Sequence, residues 1–329
     1  MSDTRQRFQA LHGKLKREAR NKSCFAVDNN CSSNIIKAHS IQNNRILNRI
    51  ADNGEVIQLK EDIGDEDFGI TPRRVGKRVA SVATNFCGMH DTNIFLPIEQ
   101  RDFAPGDLEQ EFLFAYRAFA REYHVKHEQV RMFRAFAREN QQVKMFDAAE
   151  KRYLLNTALL GSETTLQEME ANRIRLNQAR ASSGFKQIHT YRSEFRIPCP
   201  IAASACFAPE RDLDDNVVNS LGDLNTSLKY LMLTVFPQGS KTHVLLSCFR
   251  TDKKDLNFVP KQILSRTKSE QKVIFSNMLL AYVENFFISP VWWGEKPEAT
   301  QEVISKIFRE TITSDNKIFE NMTDLNLLE

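Results

Sequence analysis

The chain has 329 residues, 45 basic against 42 acidic side chains, 41% hydrophobic and 26% charged residues, the composition of a soluble globular protein able to bury a core. At roughly 150 residues per domain this length fits about two domains. No apolar run reaches the ~18 residues a bilayer-spanning helix requires and no apolar h-region marks a signal peptide, so a cytoplasmic location is expected.

Residues 5–20 are predicted helical, with Phe8, Leu11 and Leu15 on one face. The first 22 residues carry Arg5, Arg7, Lys14, Lys16, Arg17, Arg20 and Lys22 against Asp3 and Glu18 alone. Lys14, Lys16, Arg17 and Arg20 are therefore candidate phosphate contacts, the alternative being a solvated helix face. From Cys24 to Glu99 the sequence is short-ranged and irregular, with β-like pieces at Ile35–Ile36 and Val56–Leu59 and a turn signal at Asn53–Gly54. So thin a core calls for a metal or another staple.

Past Pro105 the pattern becomes helical, from Asp107 to about Leu160, with Phe112, Tyr116, Phe119 and Tyr123 three or four residues apart. RAFARE occurs at 117–122 and again at 134–139, two turns with the same amphipathic demand rather than a repeat architecture. A further helix is predicted over Thr164–Arg180. Strands are predicted at 195–207, 228–236 and 242–249, the last two as a hairpin. Helices resume at 261–287 and 298–312, and the tail after Thr313 is expected to fray. Trp292–Trp293 lies between these helices and is expected to plug a core or an interface.

Six cysteines in a chain without a secretion signal argue for metal or buried thiols over disulfides. Cys199, Cys206 and Cys248 sit in apolar runs and are expected in the core. Cys24, Cys31 and Cys87 sit in polar contexts. Cys87 and His90 form a C-x-x-H pair of ordinary zinc spacing, and Cys24 and Cys31 supply two more ligands across six intervening residues, wider than the usual two to four. The expectation is a structural Zn²⁺ site of three cysteines and one histidine. His39 and Asp91 are left over. A histidine is the natural general base near neutral pH, and with an acidic neighbour it can hold a divalent metal such as Mg²⁺ or activate water on a phosphodiester.

The order C24…C31…I-I-K-A-H39…N85-F-C87-x-x-H90-D91 resembles the HNH, or His-Me finger, nucleases that carry a zinc-bearing treble clef. The resemblance covers roughly residues 20–100. It implies His39 as general base, Asp91 at the position that binds the catalytic metal and Asn85 as the asparagine supporting the base. The basic helix, zinc module and following α+β part together also resemble the ring-activated zinc-finger RNases of bacterial phage defence. That likeness implies an RNase held inactive until a ring-shaped phage protein engages it. The fold class expected is α+β: a basic helix and treble-clef-like zinc-finger module over 1–102, then a helical domain with a small, mostly antiparallel sheet over 103–329 that serves homo-oligomerisation or partner sensing.

Two other readings stand beside this one. A non-enzymatic zinc-finger nucleic-acid-binding or adaptor protein would need the zinc and the basic residues but neither His39 nor Asp91. The pairs Arg121/His127 and Arg117/His124 resemble the R-x4–6-H signature of metal-independent HEPN ribonucleases, against the alternative of a solvated helix face. His189 and His243 are expected to be structural. Isolated glycines without a phosphate loop argue against nucleotide hydrolysis.

Overall fold

The computed structural model describes residues 3–28, 30–32, 34–63, 68–143, 149–313 and 323–329. In chain order the elements are α1 (Asp3–Glu18), β1 (Ile35–His39), α2 (Asn48–Ile50), β2 (Glu55–Ile63), β3 (Phe68–Gly76), β4 (Val82–Cys87), α3 (Gly88–Glu99), α4 (Leu108–Val143) and α5 (Ala149–Ala181). There follow β5 (Ile188–Phe195), β6 (Ile201–Phe207), β7 (Leu231–Gln238), β8 (Lys241–Phe249), α6 (Lys268–Tyr282), β9 (Phe286–Ile288), α7 (Pro290–Glu295) and α8 (Glu298–Thr313). The side chains of Arg5, Arg7 and Phe8, and most of the tail expected to fray, lie outside the described residues.

Seven strands form one sheet in the order β3-β2-β9-β6-β7-β8-β5, each paired antiparallel to its neighbours. Alternation along β7 shows why it is buried on both sides. Met232 and Phe236 face the layer of α4 and α5, while Leu231, Leu233 and Val235 face the layer containing α6 and α8. The separate two-stranded pair β1–β4 packs on the α4 side, where Phe25, Phe86 and Phe95 join Tyr116 in one aromatic cluster with ring centroids 5.0–6.2 Å apart.

Asn53 and Gly54 both have positive φ, 51° and 80°, as a tight hairpin-type turn requires, so the predicted turn forms. It launches β2, whose Ile57 pairs with Ile288 of β9. Neither the sheet nor the aromatic core breaks at residue 102, the boundary expected between two parts. The helix expected over 261–287 also ends early. Phe286–Ile288 is a strand, because three wholly buried apolar residues fill the gap between β2 and β6. The break expected before Thr164 is absent. Gly161 is carried inside α5, where its carbonyl accepts from the Thr165 hydroxyl at 2.9 Å.

All six cysteines are free thiols, and Cys199, Cys206 and Cys248 are buried in the sheet region. Trp293 is core, and Trp292 donates its indole N–H to the Glu329 carbonyl at 2.8 Å. His243 is buried beside Phe103, and His189 packs edge-on to Tyr191. No helix among the described residues is long and apolar enough to cross a membrane.

Candidate metal centre and the polar site beside it

β4 ends at Cys87, and α3 begins at once, so Cys87 and His90 project from one strand end and the first turn of the helix after it. The segment carrying Cys24 is tied to β4 by the Ser23 and Phe25 N–H groups, which donate to the carbonyls of Thr84 and Asn85. Those two carbonyls are available because β4 bulges there, Thr84 and Asn85 standing opposite Lys37 alone. Across the loop Gly88 N–H reaches the Asn34 carbonyl and Met89 N–H the Ser32 hydroxyl.

The result is a cluster. His90 Nδ1 lies 3.3, 3.5 and 3.2 Å from the Sγ atoms of Cys24, Cys31 and Cys87, and all four ligand atoms lie within 4.8 Å of one another. A tetrahedron with Zn–S of ~2.3 Å and Zn–N of ~2.05 Å has N···S edges of about 3.6 Å and S···S edges of about 3.8 Å. The four side chains can therefore hold a metal ion such as zinc, and four protein ligands are the number a closed, structural site uses. Cys31 is exposed, while Cys87 and His90 are buried.

A second layer supports it, which sequence reasoning missed. His90 Nε2 meets Asp28 Oδ1 at 2.8 Å, and Arg180 of α5 donates to Asp28 Oδ2 at 2.9 Å. A carboxylate behind a ligating histidine fixes its tautomer and raises its basicity. Burial works against the charged carboxylate, but the Asn30 N–H, His90 and Arg180 hold it below the usual range. Arg173 reaches the carbonyls of Cys24, Phe25 and Ala26, and Asn177 also donates to Phe25. Helix α5 thus grips the ligand loop directly. Asp28→Ala is expected to weaken zinc affinity by about 10–100-fold without lowering its stoichiometry at saturation. Competition with a coloured chelator measures this, and unchanged affinity would remove Asp28 from the site.

The thiols differ in readiness. Burial pushes Cys24 up to about 12 against two backbone N–H bonds, and burial also raises Cys31. Burial acts on Cys87 in the same direction but is outweighed by the Ser32 hydroxyl and the backbone N–H groups of His90 and Ser32, which bring it to about 6. Cys87 is thus a thiolate at neutral pH while the other two hold their protons. Zinc uptake at pH 7 should therefore release about two protons per ion, read with a pH indicator in weak buffer. Release of three would contradict a preformed Cys87 thiolate.

His39 ends β1 and pairs with Val82. Its Nδ1 lies 3.0 Å from the Ala80 carbonyl and 3.2 Å from Ser81 Oγ. A carbonyl only accepts, so Nδ1 carries the hydrogen and Nε2 keeps its lone pair. Ser81 has a left-handed backbone, φ 59°, a conformation that costs a serine roughly 1–2 kcal/mol. Its carbonyl accepts from Ser40 N–H and Oγ, and its hydroxyl from Ile41 N–H, which offset that strain and fix the corner holding His39. Asn85, expected to support His39, does not do so among the described contacts. It is buried at the bulge, and Ala80 with Ser81 takes that part.

Asp91, in the first turn of α3, has a buried Oδ1 without a hydrogen-bond partner. Burial raises its pKa, opposed by Arg117 and assisted by Glu99. The same two charges act on His39, whose pKa burial lowers, so His39, Asp91, Glu99 and Arg117 share one neighbourhood. Arg117 is 3% exposed, lies 3.8 Å from the Phe95 ring centroid, binds Glu99 at 2.5 Å and has a buried Nε without a partner.

The arginine–histidine pairs of α4 do not converge. Arg117 is taken up as described, and His124 is buried between Asn21 and Glu128. Arg121 and His127, six residues apart, point about 120° from each other on a helix. Arg121 lines a cleft against β6, while His127 meets the Tyr123 hydroxyl at 2.9 Å.

Of the basic helix, Lys14 pairs with Glu139 at 3.4 Å, and Lys16, Arg17 and Arg20 are exposed. The helix is seated on α4 by Leu15 against Ala135 and Phe136. Comparison with protein-family models, curated proteins and solved structures finds no match for the chain.

Proposed function

We propose that the chain is a nuclease, acting on RNA, in which a treble-clef-like zinc module presents His39 as general base. The observation that carries this reading is the state of His39. Its Nδ1 is tied to the Ala80 carbonyl, its Nε2 bears the lone pair, and burial lowers its pKa, so it is neutral and able to accept a proton. The order of parts also supports it: ligand loop, β1 ending in His39, then β4 running into α3 with Cys87, His90 and Asp91 in succession.

In the reaction His39 Nε2 takes a proton from the attacking water while its oxygen bonds to phosphorus. The leaving oxygen departs with the electron pair of the broken P–O bond. Asp91, whose buried Oδ1 has no hydrogen-bond partner, is the residue that would hold a divalent cation such as Mg²⁺, which would supply positive charge at the phosphate. Glu99 and Arg117 set the charge around both groups. The likeness to ring-activated RNases adds a gate to this reading, one that a ring-shaped phage protein would open.

The test incubates wild type, His39→Ala and Asp91→Ala with single-stranded RNA and DNA, with and without Mg²⁺ and a candidate ring-shaped activator. Activator-dependent RNA cleavage by wild type alone supports the reading. RNA binding by all three proteins without cleavage under any condition would make this a zinc-finger binding protein instead.

A further inference from the structure

Helix α1 lies against α4, and between the end of α1 and the far half of α4 runs an open cleft of about 500 Å³. Arg131, Arg134 and Arg138 line it from α4, Glu18 and the following Ala19 from the end of α1, and Leu159 from α5. The arginines stand at i, i+3 and i+7, so they follow one another along one helix face. Ala135 and Ala137 beside them keep the cleft wide.

We propose that this cleft holds the phosphate backbone of a single nucleic-acid strand, with Arg131 and Arg138 as its main contacts. The proposal rests on the nuclease reading for its ligand class, but it names residues outside the His39 site.

Charge accounting selects the two arginines. Arg134 is committed to Glu163 at 2.7 Å and Lys14 to Glu139. Arg131 gives one N–H to the Arg20 carbonyl at 3.2 Å, and neither it nor Arg138 pairs with a carboxylate among the described residues. Both are exposed, and among the described residues Glu18 is the one acid lining the cleft. Exposed Lys16, Arg17, Arg20 and Lys22 add to the field from the α1 side. A guanidinium binds phosphate through paired N–H donors, and a basic groove that tracks a backbone is how single strands are held without sequence preference.

Size favours the single strand: a cleft of about 500 Å³ has room for a few nucleotides of one strand. Arg131 lies 14 residues beyond Arg117 on the same helix, about 21 Å along its axis, so the cleft is a site separate from the His39 neighbourhood.

The test uses the full chain with His39→Ala, so that nothing is cut, and a fluorescent single-stranded RNA of about 20 nucleotides. Anisotropy is followed against salt. Adding Arg131→Ala and Arg138→Ala should weaken binding by about tenfold or more and flatten the log K against log salt slope by about 1.4, two phosphates at ~0.7 each. Arg138→Glu alone, at an exposed site, should weaken it as well. Zinc content and circular dichroism certify the fold. Unchanged affinity and slope would overturn the proposal, as would an equal loss from Lys253→Ala with Lys254→Ala, two exposed lysines that do not line the cleft. Duplex RNA bound as tightly as the single strand would overturn the single-strand assignment. Cleavage by wild type judges His39 separately, so either idea can fail alone.

Discussion

Cys87→Ser is expected to yield a chain that retains no zinc after chelation and reloading and that melts about 10–20 °C lower. The first part follows from the cluster's geometry. Cys87 is the thiol that three hydrogen bonds leave ionised against the effect of burial, and its Sγ is one of three packed around His90 Nδ1. A serine oxygen at that place neither ionises nor reaches the Zn–S distance. The second part is a question of which effect wins. Structural zinc contributes about 10–16 kcal/mol in isolated fingers, but this module is also packed against α4 and α5. Phe25, Phe86 and Phe95 are buried against Tyr116, and each such side chain contributes about 1.5–3 kcal/mol. Arg173 and Asn177 also hold the Cys24–Ala26 carbonyls. The core therefore keeps part of the segment in place, and a net loss near 5 kcal/mol is the expectation. At about 2–4 °C per kcal/mol for a chain of this order of size, that gives the stated drop. Cys248→Ala is the control. It removes an equally buried thiol from β8, costs core packing and should leave one zinc per chain. Metal analysis and thermal melting on the two variants decide the matter. A Cys87→Ser protein that still carries one zinc would dismiss the ligand set.

How far the sequence revealed this arrangement depended on distance along the chain. Cys87 and His90 could be read because a three-residue spacing becomes one strand end and one helical turn. Asn53–Gly54 could be read because two positive φ angles need those residue types. Asp28 could not. It lies between the two first cysteines, but its use depends on Arg180 arriving from α5, more than 150 residues later. The same holds for β9. Phe286–Ile288 continues an apolar helical pattern, and it becomes a strand because β2, from far upstream, leaves a place beside β6. The support of His39 was assigned to Asn85 by likeness, yet a main-chain carbonyl at Ala80 performs it, and a main-chain group leaves no mark in a sequence. Arg117 drew notice for its spacing from His124. Its actual partners, Phe95 and Glu99, share α3 with Asp91.

His39→Ala is the substitution that separates catalysis from structure most cleanly. If His39 is the base, its removal costs the factor a positioned base supplies, about 10²–10⁴ in rate. The metal cluster should be untouched, because β1 meets β4 at Cys87 from its other end, Ile35, four residues from His39. Zinc content and melting temperature should therefore stay near wild type while cleavage falls. The pH profile adds a readout that a purely structural histidine would not move. A base works only when neutral, so activity falls as pH drops through the His39 pKa. Burial first, then Arg117, lower that pKa, opposed by the Ala80 carbonyl and Glu99, so the acid limb should have its midpoint below 6.5, the ordinary histidine value. Arg117→Gln removes one cause of the lowering, and the limb should then move toward higher pH while the zinc remains. A limb that stays put in Arg117→Gln, or that survives in the residual activity of His39→Ala, would show that another group titrates. His39 would then be a corner of the β1 strand rather than the base.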